Sequence, residues 1–171
     1  MAVEIAEILR SKGWRITDEA LRQGLRDARW AGRFEILRRG GPDVLIDAGH
    51  NPQGARVLAE NLRLYFPGRK CTFIMGCLAK KDHRAMLAPV LPLARRFLTV
   101  TPGYRGALPA QDLAALIRSY GADAQACETV PAAVDLALEL VNQSGDDDCI
   151  CAFGSIYYIG EVCAHLRGDC Q

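Results

Sequence analysis

A chain of 171 residues has room for one α/β domain with a sizeable core and a short extra piece, and is too short for two ordinary domains joined by a linker. Its 21 basic and 20 acidic side chains leave a formal net charge of +1, so composition announces neither a nucleic-acid-binding face nor a polyanionic tail. No run approaches the roughly 18 apolar residues of a membrane span, and the opening MAVEIAEILRSKGW carries acids inside its apolar stretch, unlike a signal peptide. The chain therefore reads as cytoplasmic, with no nucleic-acid or membrane partner.

The first thirty residues contain no strand. AVEIAEILRSKG has helical period, Gly13 stops it, and Thr17 stands as N-cap for DEALRQGLRDA. Two short helices ahead of a sheet read as the tail of a preceding domain or a linker, which sets a boundary between residues 1–29 and 30–171. From Phe34 onward, apolar runs rich in β-branched residues alternate with stretches of helical period, the pattern of a parallel sheet covered by helices. Strands are expected at 33–38, 43–47, 71–77, 96–101, 123–127 and 148–153. NPQGARVLAENLRLYF places Ala55, Leu58, Ala59, Leu62 and Tyr65 or Phe66 on one face, and DHRAMLAPVLPLA, PAQDLAALIRSY, PAAVDLALELVNQ and SIYYIGEVCAHL do likewise. Arg39-Gly40-Gly41-Pro42 leaves room only for a tight turn, so the first two strands form an antiparallel hairpin. The expected fold is an α/β, Rossmann-like three-layer sandwich on a mixed, mostly parallel six-stranded sheet with one antiparallel strand.

Seven cysteines, at 71, 77, 127, 149, 151, 163 and 170, include no CxxC and no histidine at zinc spacing. Most sit in apolar runs such as CTFIMGC and CICAF, where a free cysteine is a small buried hydrophobe. No metal site is read from the sequence.

Ligands of open α/β sheets bind beyond the carboxyl ends of the strands, so the residues after each apolar run carry the chemistry. VLIDAGHNPQGA runs a buried strand into Asp47, His50 and Asn51, with Pro52 opening a helix. Asp47 suits ribose hydroxyls, and His50 and Asn51 suit a polar substrate; with equal weight, Asp47 and Asn51 only cap the helix. In CAFGSIYYIG, Gly154 permits a tight turn, and Ser155 is either an anion seat or a plain N-cap. In IMGCLAKKDHRAML, Lys80, Lys81, Asp82 and His83 follow a strand, where a lysine approaches phosphate or carboxylate unless it is merely solvated. Arg33, in ARWAGRFEIL, has the planar fork that suits phosphate oxygens. There is no GxxxxGK[ST] loop and no GxGxxG, so most of any bound ATP must be held by another domain.

Taken together, W-x-G-R-F-E, D-x-x-H-N-P, the Lys81-Asp82 pair and the strand-Gly-Ser turn resemble, over nearly the whole chain, the carboxy-terminal domain of folylpolyglutamate synthase/dihydrofolate synthase in the Mur ligase superfamily. The departures are Ala31, where that family more often has proline, and Gly49, where alanine is commoner. The resemblance implies an enzyme that phosphorylates a folate or dihydropteroate carboxylate with ATP and Mg2+ and lets the amine of L-glutamate attack the acyl phosphate. It implies that Arg33 contacts ATP phosphates, that Asp47 contacts the ribose, and that His50, Asn51, Ser155, Lys81 and Asp82 lie toward the reacting groups and glutamate. Arg33 and His50 are the catalytic pair in that reading. The phosphate loop, the magnesium ligands and most of the ATP site then belong to an amino-terminal ATPase domain of the same parent, which is expected to be monomeric, and the isolated domain is inactive. The competing readings are a Mur-type peptidoglycan amino-acid ligase domain, a stand-alone interaction module, and a dinucleotide-binding oxidoreductase domain.

Overall fold

The structure is a computed structural model that describes residues 1–28, 30–38, 41–145 and 147–167, with only the backbone of Arg38. The Arg39-Gly40 half of the hairpin turn and Cys170 lie outside the described residues. The chain divides into two compact units, Met1–Ala31 and Gly32–Gln171.

The first unit holds α1 (Ala2–Ser11) and α2 (Asp18–Asp27). Gly13 ends α1 at φ +88°, and Thr17 caps α2 by accepting from the Ala20 amide at 3.1 Å. Arg10 ties the turn between them, donating from Nε to the Ile16 carbonyl and pairing with Asp18. Only Ala6 of the two helices is buried, and Ile5, Ile8 and Trp14 are exposed.

The second unit is a six-stranded sheet of order β1-β2-β6-β3-β4-β5. Its strands are β1 (Glu35–Arg38), β2 (Val44–Asp47), β3 (Cys71–Met75), β4 (Ala94–Thr99), β5 (Ala124–Ala126) and β6 (Cys149–Phe153). β1 pairs antiparallel with β2 and every other pairing is parallel, as expected from the short connection after Arg38. β1 starts one residue after Phe34, whose φ of +43° is incompatible with an extended strand.

The helices are α3 (Pro52–Tyr65), α4 (His83–Leu87), α5 (Ala110–Ser119), α6 (Val130–Ser144) and α7 (Ile156–Arg167). Alternate residues of the central strands face opposite sides. Leu45, Phe73, Met75, Phe97 and Phe153 pack with α3, α4 and α5, whereas Ile46, Ile74, Leu98, Ile150 and Ala152 pack with α6 and α7. Both faces are covered, which is why the strands read as continuous apolar runs.

Two expectations are corrected. The helix drawn over 82–94 is only α4 followed by a short turn at Leu91–Leu93, because Pro89 and Pro92 lack the amides that would continue it. Cys71 and Cys149 are not independent buried thiols: they stand opposite each other in β3 and β6, 4.8 Å apart at Cα, joined as a disulfide. Of α3's two candidate aromatics, Phe66 is buried and Tyr65 exposed.

Candidate functional site

β2 is followed by a helix on one face of the sheet and its neighbour β6 by a helix on the other, so a crevice opens between their carboxyl ends. The two turns that leave these strands are bonded to each other, the Gly154 amide donating to the Gly49 carbonyl at 2.9 Å. Gly154 has φ +114°, and a Cβ there would stand 2.6 Å from the Gly76 carbonyl oxygen, so only glycine fits.

Asp47, at the end of β2 and only 8% exposed, accepts from the Gly49 amide at 2.6 Å through Oδ1 and from the Phe34 amide at 3.1 Å through Oδ2. It does not cap α3; it clamps the β2 exit to the β1 entry. Each oxygen keeps a further lone pair, and Asp47 lines the adjoining cleft. Asn51 is the N-cap, accepting from Gly54 at 2.7 Å ahead of Pro52. The structural reading of Asn51 thus accounts for its side-chain oxygen.

His50 places Nδ1 3.1 Å from the Ala48 carbonyl, an acceptor only, so Nδ1 donates that bond and Nε2 has no hydrogen-bond partner among the described residues. His50 lines two clefts. The larger, about 460 Å³, also takes in Arg33, Asp47 and Asn51. Arg33 is exposed and has no hydrogen-bond or ion-pair partner among the described residues. The smaller cleft, about 150 Å³, is lined by His50, Lys81, Ser155, Leu78 and Tyr157.

Ser155 is buried, and its hydroxyl accepts from the Tyr157 amide at 3.3 Å, a cap-like contact that leaves the hydroxyl proton available to the cleft. Lys81 is half-buried, and its ammonium has no partner among the described residues. Asp82 does not join the cleft lining: it caps α4, accepting from Ala85 at 3.0 Å, so its substrate-binding assignment gains no geometric support. Lys80 is exposed, and His83 fixes the same loop by donating from Nε2 to the Leu78 carbonyl at 2.9 Å.

Sequence reasoning missed Phe34 and Asn61 in the larger cleft, and Tyr157 with its partner Tyr104 beside the smaller one. The two tyrosine rings stack 3.9 Å apart and 9° from parallel, and the bond to the Tyr104 hydroxyl holds the Tyr157 phenol above its ordinary range. Tyr157 carried a signal in the Gly-Ser-x-Tyr spacing; Asn61 carried none, since it belongs to no motif.

Residues 32–156 match the protein family described as Mur ligase, glutamate ligase domain. The chain belongs to this family. A probable bifunctional folylpolyglutamate synthase/dihydropteroate synthase of Halobacterium salinarum is 32% identical over 148 residues, 86% of this glutamate ligase domain chain and 17% of the relative. The dihydrofolate synthase/folylpolyglutamate synthase of Bacillus subtilis is 26% identical over 153 residues, 89% of the chain and 34% of the relative. Among solved structures, Mycobacterium tuberculosis folylpolyglutamate synthase complexed with ADP and AMPPCP superposes with a TM-score of 0.85 at 27% identity, covering 95% of this chain and 38% of that one. The Yersinia pestis bifunctional folylpolyglutamate synthase/dihydrofolate synthase complexed with AMPPNP and Mn gives a TM-score of 0.77 at 26% identity, covering 95% and 37%. The glutamate ligase domain chain thus spans less than two fifths of each relative and matches their carboxy-terminal part. Among the described residues of the domain, no group of three or more His, Cys, Asp or Glu side chains is placed to hold a metal ion. No described helix is long and apolar enough to cross a membrane.

Proposed function

We propose that this domain is the carboxy-terminal, closing half of an ATP-dependent ligase that adds L-glutamate to folate, to dihydropteroate, or to both. The observation that carries the reading is that the two clefts meet at His50. One cleft offers a cation and a carboxylate, Arg33 and Asp47; the other offers an ammonium and a hydroxyl, Lys81 and Ser155. An acyl-phosphate ligase needs nucleotide and amino acid brought to a common point, and the arrangement supports that need.

In this reading a carboxylate oxygen of the acceptor attacks the γ-phosphorus of ATP and ADP leaves. The glutamate amine then attacks the acyl carbon, inorganic phosphate leaves, and an amide results. Arg33 meets the phosphoryl oxygens and stabilises charge that develops on them, by electrostatics rather than proton transfer. The lone pairs left on Asp47 accept from ribose hydroxyls. Lys81 and Ser155 hold a carboxylate of the incoming glutamate, and Nε2 of His50 takes the proton that the amine sheds. Magnesium, held with the phosphate loop by an amino-terminal ATPase domain of the parent, supplies charge neutralisation on the phosphates. Residues 1–29 form the tail of that preceding part and 30–171 the domain itself. The parent is a cytoplasmic monomer. Late closure of this domain also keeps water from the acyl phosphate.

The test compares the 171-residue chain with the full-length parent for magnesium-dependent ADP release in the presence of folate or dihydropteroate and glutamate. The parent is expected to turn over and the chain alone is not. A parent that forms neither ADP nor the amide overturns the reading, and so does robust turnover by the chain alone.

A further inference from the structure

The two clefts of the candidate site lie at the carboxyl ends of the strands. At the opposite rim, a hollow of about 140 Å³ opens where the starts of β3 and β4 and the residue before β6 meet the last turn of α6. Thr72, Arg95, Arg96 and Asp148 bring polar groups to its wall.

Successive strand residues point to opposite faces of a sheet, so Arg95 and Arg96 would not ordinarily share a hollow. They do so because the pairing of β3 with β4 slips. Cys71 stands opposite Ala94 but Thr72 stands opposite Arg96, which leaves Arg95 as the extra residue of a bulge. A bulge re-aims a side chain, and this one brings a second guanidinium to the α6 face. Arg95 is engaged, donating from Nε to Asp148 at 2.7 Å and from Nη2 to the same carboxylate at 3.4 Å. Arg96 is not. It is half-buried, its Nε is shut off from solvent with no acceptor, and its guanidinium makes no hydrogen bond or ion pair among the described residues. Its register partner Thr72 is only 1% exposed, and the Thr72 hydroxyl makes no hydrogen bond among the described residues either.

Buried polar groups are nearly always satisfied, so two adjacent donors left open on one wall point to an acceptor from outside the chain. Asp148 offsets one of the two arginine charges and leaves one positive charge in the hollow. The carboxyl end of α6 carries a partial negative charge nearby, which eases the burial of Arg96 without giving it a bond.

We propose that this hollow is an anion site, taking a tetrahedral oxyanion of the phosphate class between the Arg96 guanidinium and the Thr72 hydroxyl. The guanidinium fork suits two oxygens of such an ion, and the hydroxyl donates to a third. The size agrees, because a drug-sized ligand occupies a pocket of about 300–1,000 Å³, and this one suits a free inorganic ion or a single phosphoryl group. No residue is shared with the clefts at the other rim, so the site stands apart from the ligase reading.

Inorganic phosphate, sulfate and phenyl phosphate are titrated into the 171-residue chain at constant ionic strength, with chloride as control, and followed by amide and arginine Nε–H chemical shifts. Phosphate and sulfate are expected to shift Thr72 and Arg96 saturably, and chloride is not. Phenyl phosphate shifts the same residues if the site serves a phosphoryl group on a larger molecule, and leaves them unmoved if it serves the free ion. Arg96→Gln should weaken phosphate here roughly tenfold while any shifts at Arg33 and His50 stay as they were. Should that variant not fold, Arg96→Lys keeps the charge without the fork and should retain only part of the affinity. Thr72→Val removes an unbonded hydroxyl, so it should leave the thermal melt unchanged yet weaken phosphate, a split that a purely structural role would not produce. If phosphate and sulfate move Thr72 and Arg96 no more than chloride does, or if the folded variants bind as tightly as the parent chain, the site is wrong and the two arginines serve only Asp148 and the end of α6.

Discussion

Replacing Gly154 by alanine should be among the most damaging single-methyl additions this domain can receive. At φ +114° the backbone lies outside the regions open to L-residues, and holding a side chain there costs about 1–3 kcal/mol. The added carbon would also stand 2.6 Å from the Gly76 carbonyl oxygen and 3.3 Å from Met75 Cγ. The oxygen is backbone and cannot rotate away. Gly76 has little room either, because a Cβ on it would meet Pro102 at 2.9 Å and the Val100 carbonyl at 3.0 Å, so its own surroundings are tight. Overpacking of this kind adds about 1–3 kcal/mol, for a total of roughly 2–6 kcal/mol. At about 2–4 °C per kcal/mol for a chain of this size, the melting temperature should fall by on the order of 10 °C. Gly145→Ala is the matched control: φ is +67° and nothing lies within 4 Å of the added carbon, so only about 1–2 kcal/mol is at stake. Thermal and urea melts of both variants read the difference. If Gly154→Ala melts within two or so degrees of the parent chain, or no lower than Gly145→Ala, the steric argument is refuted.

Arg33→Ala in the full-length parent should lower turnover about a hundred- to a thousandfold by steady-state kinetics, as expected for a donor facing developing phosphoryl charge. The same change should leave the melt of this domain within about 0.5 kcal/mol, because the side chain is exposed and makes no described contact. Arg69 bonds the Asp147 and Asp148 carbonyls, pairs with Asp43 at 2.6 Å and lies over the Phe66 ring, so Arg69→Ala should cost about 2–4 kcal/mol in a urea melt, and Arg69→Lys should recover only part. Burial pushes the Cys77 thiol from 9.0 up to about 12. Unfolded chain therefore loses this proton first, and folding stability present below pH 9 should fall by up to about 1.4 kcal/mol per unit between pH 9 and 12. Cys77→Ala should flatten that part of the pH profile, and an unchanged slope would exclude the thiol as its source.

The strands were legible because both faces of this sheet are covered, so burial alone writes an apolar run at each of them. α4 was overdrawn because Met86, Leu87, Val90 and Leu91 keep a helical spacing through a segment that Pro89 and Pro92 break. The residues after β2 and β6 were singled out by position, because ligands of open α/β sheets bind beyond the strand ends, and the structure gathers several of them along two adjoining clefts. Their detailed geometry was not. That Asp47 spends both oxygens on backbone amides depends on Phe34, thirteen residues earlier, folding back at positive φ. The cap that Asp82 makes on α4 was not legible, because a carboxylate beside a lysine reads the same whether it faces a ligand or caps a five-residue helix. Asn61 belongs to no motif, and only its place in the lining of the larger cleft distinguishes it from an ordinary solvated amide.

The single hydrogen bond from the Gly154 amide to the Gly49 carbonyl bears on how such domains can be recombined. It stitches together two loops that are 105 residues apart in the chain, and each carries part of a different cleft. A chimera that imports the His50 loop from a relative while keeping the resident Ser155 loop inherits a seam whose two sides were fitted to different partners. The His50 side of the seam is also tightly built within itself, because a Cβ on Gly49 would stand 2.7 Å from Asp47 Oδ1. Loop exchange aimed at changing what this domain accepts should therefore move residues 47–54 and 153–157 as one cassette.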